Sequence, residues 1–143
     1  MNRQQIAQLI PHGDAMCMLD EVVAWNSEQI HCRSYLVNMT ANPLCEHGQL
    51  DTVLLIEYGA QAAAVHAALV QSHLGDIRPA YIGAVKDIEL LGAISDNSTP
   101  LELHAQCLLN NRQGAIYELL ATQADIPLLR GRLILNQAQT QPV

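Results

Sequence analysis

Glu57 is the residue whose setting most demands an explanation. It lies in residues 53–70, the longest apolar stretch of the chain, with Leu54, Leu55, Ile56, Gly59 and Ala60 around it. A carboxylate in such company is costly unless it is paired or put to use. Gln61 follows one helical turn later, on the same face, where it could orient the carboxyl. The helix start leaves N–H groups without intrahelical partners, and these could polarise a carbonyl oxygen. His12 and His47 lie upstream of this stretch and His66 within it. Carboxyl and imidazole groups together are the equipment of proton transfer. His66 falls about half a turn round the helix from Glu57, at ~100° per residue, so the two do not share a site within one chain. The four cysteines, Cys17, Cys32, Cys45 and Cys107, show no CxxC spacing. Neither a metal nor a redox cofactor is expected from them, and they read as reduced core thiols of a cytoplasmic protein.

The elements that must hold Glu57 follow from periodicity and breakers. A short helical pattern over residues 4–10 ends at Pro11. Residues 16–25 read as a strand, and 29–36 as its returning partner, with Ile30 and Cys32 inward and His31 and Arg33 outward. Residues 38–49 form a loop carrying Asn42-Pro43 and Gly48. Asp51 or Thr52 is placed to cap the long helix, which runs to about His73 and stops near Gly75. That helix is apolar nearly all round and rich in small residues, so it should be surrounded and closely packed. After Pro79 the chain is strand-like: 80–91, 101–109, 115–124 and 128–136. Gly83 falls inside the first of these, where glycine marks either a close approach or a bulge. A short helix, two strands, one long buried helix and four strands pack most simply as a sheet wrapped round the helix.

The bulk numbers agree with one α+β domain over residues 1–143, with 137–143 a frayed polar tail. Half of the 143 residues are apolar and Phe is absent, so the core must be aliphatic. Charged residues are 15% of the chain, which suits a protein that hides surface in an oligomer. The net charge of −7 argues against nucleic acid. Glu57, Tyr58, Gln61 and His66 in the apolar stretch argue against a membrane span. The Asp20-Glu21 pair, His31, His73 and His104 read as solvated positions. Arg112, Arg130 and Arg132 could touch an acidic partner if they converge in space.

Three segments resemble the beta-hydroxyacyl-acyl-carrier-protein dehydratase family, in the family's order and over nearly the whole chain. Ile10-Pro11-His12-Gly13-Asp14-Ala15-Met16, running on to Leu19-Asp20-Glu21-Val22, is similar to its opening segment. Ile56-Glu57-Tyr58-Gly59-Ala60-Gln61 is similar to its central-helix motif, and Tyr81-Ile82-Gly83-Ala84-Val85-Lys86-Asp87 to the strand that follows. The wording is closer still to a subgroup linked to aryl polyene pigment synthesis.

The resemblance implies a hot-dog fold, a curled antiparallel sheet round one central helix, and an acyl thioester on an acyl carrier protein or coenzyme A as substrate. It also implies a dimer, either with itself or with another hot-dog subunit. Dehydration of a 3-hydroxyacyl thioester needs a base at C2, an acid at the C3 hydroxyl and donors at the thioester oxygen. The resemblance assigns the acid to Glu57, kept protonated by burial, and the base to His47. Gln61, Gly83, Ala84 and His12 are then candidate substrate contacts. The chain departs from the family in one place: residues 42–51 hold His47 but lack the proline-glycine frame of the family's catalytic loop. Two other readings follow, a non-catalytic partner of an active dehydratase and an acyl-thioester hydrolase.

Overall fold

A computed structural model describes residues 1–10, 17–36, 51–74, 80–95 and 97–137. Helix α1 (Arg3–Ala7) is capped by Asn2, whose side chain accepts from Gln5 N while the Gln5 side chain reaches back to Asn2 N. It ends at Ala7, short of the expected residue 10, with Gln8 as C-cap. Strands β1 (Glu21–Trp25) and β2 (Gln29–Ser34) form a hairpin closed by Asn26, whose Oδ1 accepts from Glu28 N and Gln29 N. After a 3-10 turn (Thr52–Leu54) comes α2 (Leu55–Leu74), followed by β3 (Ala80–Leu90), β4 (Leu101–Asn110), β5 (Gly114–Gln123) and β6 (Ile126–Gln137).

The six strands make one antiparallel sheet in the order β1-β2-β4-β5-β6-β3. The connection through α2 therefore carries the chain from β2 to the far edge at β3, and β4 returns beside β2. This is the expected α+β architecture, and the alternation in the sequence explains it. Ile30, Cys32, Leu101, Leu103, Ala105, Ala115, Tyr117, Leu119, Ala121, Leu133 and Leu135 are buried on one face. That face closes on α2, whose Leu55, Tyr58, Ala60, Ala62, Ala63, Val65 and Leu69 complete a single core. By length and composition Thr52–Ser72 could cross a membrane, but most of it is buried inside the domain. The small residues let sheet and helix approach: a Cβ on Gly59 would stand 2.8 Å from Leu119 Cδ1.

The long edge strand β3 is irregular. Its register against β6 shifts between Ile82 and Ala84 and again between Lys86 and Glu89, where Asp87 has φ 55°. Such bulges bend an edge strand and sharpen its twist. Cys17 and Cys32 are buried reduced thiols and Cys107 is half-buried, while Cys45 falls outside the described residues. Burial raises the Cys32 thiol to about 12, with the neighbouring Cys17 adding to the effect.

Candidate active site at the start of the central helix

Asp51 caps the 3-10 turn, its Oδ1 accepting from Val53 N at 3.1 Å. Thr52 Oγ1 donates to Gly92 O at 3.1 Å. Leu91 N and Gly92 N in turn donate to Leu128 O at 2.9 and 3.3 Å. The entrance of α2 is thus tied to the segment leaving β3, which is itself tied to β6.

Glu57 lies in the first turn of α2, where a carboxylate also favours the helix dipole. It is half-buried, not enclosed as its apolar surroundings suggested. Residues 58–69 of α2 are buried all round, whereas at its entrance Leu55 and Tyr58 are buried and Val53, Ile56 and Glu57 are exposed or half-buried. Val53, Leu90 and Leu91 are exposed, at 42%, 57% and 45%. A single chain thus leaves an acid and several large apolar side chains uncovered around one end of α2.

Gln61 is fully buried, and its Oε1 accepts from Met18 N at 2.9 Å. Ser34 Oγ donates to Met18 O at 2.6 Å. The backbone of Met18 is clamped on both sides, so the amide oxygen of Gln61 serves to anchor the strand-leading segment to α2. Gly83 is the bulge residue between Ile82 and Ala84, and a Cβ there would stand 2.8 Å from Asn136 Cγ. What stands over it on β6 is the amide end of the Asn136 side chain and not backbone. Ala84 next to it is half-buried on the sheet edge. His12 and His47 lie outside the described residues.

His66 belongs to a different part of the core. Its Nε2 donates to Asn26 O at 2.8 Å, which leaves Nδ1 to accept from Tyr117 Oη at 2.6 Å. Trp25 meets the ring edge-on at 6.4 Å. Burial lowers the His66 pKa, partly opposed by the Asn26 carbonyl. Burial likewise raises that of Tyr117, with Cys107 adding to it. His66 is 1% exposed and both ring nitrogens are used, so it locks the β1–β2 hairpin to α2 and β5. The sequence signal for this lock was the inward phase of Tyr117 on β5.

The outer face of the sheet is ordered, which corrects the reading of several residues as merely solvated. Glu102 accepts from Arg33 Nε at 2.8 Å and meets His31 Nε2 at 2.6 Å. Glu21 accepts from Arg33 Nη1 at 3.0 Å and Tyr35 Oη at 2.9 Å, and Asp20 accepts from Tyr35 N at 2.6 Å. His31 and His104 stack with centroids 4.4 Å apart. Arg130 and Arg132 alternate on β6, and Lys86 stands directly opposite Arg132. Three of the chain's seven cations therefore gather there, interleaved with Glu89 and Glu118. A groove of about 500 Å³ crosses this outer face and does not include Glu57. Among the described residues no group of three His, Cys, Asp or Glu side chains is gathered to hold a metal.

A six-stranded antiparallel sheet packed on one long central helix is the hot-dog fold. Solved structures of this class match over nearly all of the chain. One is the dehydratase heterocomplex ApeI:P from Xenorhabdus doucetiae, with TM-score 0.85 and 18% identity over 94% of this chain and 91% of that one. A thioesterase from Haemophilus influenzae matches with TM-score 0.69 and 12% identity, covering 97% and 92%. A hypothetical thioesterase from Streptococcus pneumoniae, solved with coenzyme A, matches with TM-score 0.65 and 11% identity, covering 85% and 88%. At such identities the likeness is one of fold. No curated protein matches the chain in sequence. The family model described as ApeP-like, ApeP dehydratase, matches residues 4–142, and the chain belongs to that family.

Proposed function

We propose that the chain dehydrates a 3-hydroxyacyl thioester carried on an acyl carrier protein, in fatty-acid-like or polyene synthesis, with Glu57 as the general acid. The observation that carries this reading is the half-buried carboxyl in the first turn of α2, flanked by exposed apolar residues and the free edge β3. His47 takes the C2 proton, and Glu57 gives a proton to the C3 hydroxyl. The C3–O bond breaks as the C2=C3 bond forms, leaving the trans-2-enoyl thioester and one water. Helix N–H groups favour the negative charge that develops on the thioester oxygen. A second hot-dog subunit laid against β3 covers Glu57, excludes water and contributes the other wall of an acyl channel that passes Gly83 and Ala84. The cluster of Lys86, Arg130 and Arg132 supports an acidic carrier as the donor of the chain.

A second reading is favoured by the altered loop around His47 and by the heterocomplex named for the Xenorhabdus relative. In it this chain shapes and stabilises the site of an active partner and carries no chemistry of its own.

The test is turnover of a 3-hydroxyacyl carrier protein followed by the mass loss of one water. The chain is assayed alone and with a co-expressed hot-dog partner, as wild type, Glu57→Gln and His47→Ala. Loss of turnover in both variants supports both roles. Turnover that needs the partner and survives both substitutions makes this chain the supporting subunit. Release of free acid without dehydration makes it a hydrolase.

A further inference from the structure

The outer face of the sheet carries a second constellation, independent of Glu57. His31 on β2 and His104 on β4 are directly opposed in the antiparallel register. Side chains so placed have Cβ atoms about 4.5–5.5 Å apart. Their rings stack at 4.4 Å between centroids and 22° between planes. Both line the groove of about 500 Å³, with Gln29, Gln106, Glu118 and Arg130 around them.

We propose that His31 and His104 form a two-imidazole seat for a borderline divalent cation of the nickel, copper or zinc class. Imidazole nitrogen suits these ions, with a metal–nitrogen bond of about 2.0–2.1 Å for zinc. Two nitrogens on one such ion stand about 3–4 Å apart. With His31 held by Glu102, a turn of the His104 ring about Cβ–Cγ out of the stack is what aims one of its nitrogens at the shared ion.

The surroundings prepare His31 for this role. Its Nε2 is engaged by Glu102 Oε2 at 2.6 Å, and Glu102 is fixed in turn by Arg33 Nε at 2.8 Å. Metal-bound histidines usually give their other ring nitrogen to a carboxylate, which sets the tautomer and raises ligand basicity. The arrangement leaves Nδ1 of His31 for the ion. No third His, Cys, Asp or Glu completes a shell among the described residues. The remaining positions therefore fall to water, for which the open groove has room. An open two-nitrogen site fits the tetragonal preferences of copper and nickel better than the closed tetrahedron of structural zinc.

The test is calorimetric titration of untagged protein with nickel sulfate and zinc sulfate at neutral pH, beside copper electron paramagnetic resonance. One ion per chain is expected, with copper hyperfine structure from two nitrogens. His31→Ala and His104→Ala should each weaken binding by at least about tenfold, and Glu102→Gln by about 10–100-fold. Thermal melts without metal report whether each variant folds. His104→Gln, which keeps bulk and polarity, replaces any variant that does not. Binding that survives the His31→Ala/His104→Ala double change would overturn the proposal and place the ion on His12, His47 or His73. So would a copper spectrum with a single nitrogen, or an affinity no better than that of free imidazole. Dehydratase assays are not needed for any of these outcomes.

Discussion

Replacing Tyr117 by Phe removes one oxygen atom from the core and tests the lock between α2, β5 and the first hairpin. Tyr117 is fully buried, and its hydroxyl is the donor to His66 Nδ1 at 2.6 Å. The ring stays, so apolar packing is nearly unchanged. What changes is the histidine: its Nε2–H is committed to Asn26 O, and Nδ1 is left as a buried acceptor without its donor. Leaving such a group unsatisfied costs about 1–3 kcal/mol. For a domain of this size each kcal/mol moves Tm by roughly 3–4 °C, so the expected loss is about 3–12 °C. Urea unfolding at fixed protein concentration should show a lower midpoint with an unchanged slope, since the area exposed on unfolding is the same. A loss below about 0.5 kcal/mol, typical of an uncoupled surface change, would refute the hydrogen-bond assignment. So would an equal cost of Tyr117→Phe in the wild-type and His66→Ala backgrounds, because a real pair must couple.

The pH dependence of stability follows from the same histidine. The pKa values of His66 and His104 are both lowered in the folded state, chiefly by burial, so below an unfolded value of about 6.5 the unfolded chain binds more protons. Stability is then full above pH ~6.5 and falls as pH drops toward each folded pKa, by at most about 1.4 kcal/mol per pH unit per group. Melts at successive pH values should show this fall, and His66→Phe should flatten part of it. Gln61→Leu should cost about 1–3 kcal/mol by stranding Met18 N–H, measured by urea unfolding. Gly59→Val should cost about 1–3 kcal/mol by driving α2 off Leu119, whereas Gly83→Ala meets only the Asn136 side chain and should cost less than about 1 kcal/mol. Glu57→Gln should abolish turnover while leaving Tm within about 2 °C, because the carboxyl is only half-buried.

The parts of this molecule that a reader of the sequence can recover are those written in period and type. Alternation in Gln29–Ser34 and Leu101–Asn110 sets the inner and outer faces, and the small residues of α2 anticipate its enclosure. What the sequence cannot carry is pairing across distance. His31 and His104 alternate outward like any solvated residue, and only the return of β4 beside β2 sets one ring against the other. Gln61 shares a face with Glu57, yet its oxygen reaches a backbone N–H forty-three residues away in the chain. The same limit applies to Glu57, whose apolar neighbours in sequence suggest full burial while the sheet leaves one side of the helix start half-covered. On the proposed dehydratase reading, an acid at a channel wall must be reachable by substrate and dry during the reaction. A partner subunit laid over the exposed Val53, Leu90 and Leu91 then supplies the dry wall, so activity with and without a partner is the measurement that divides the two functional readings.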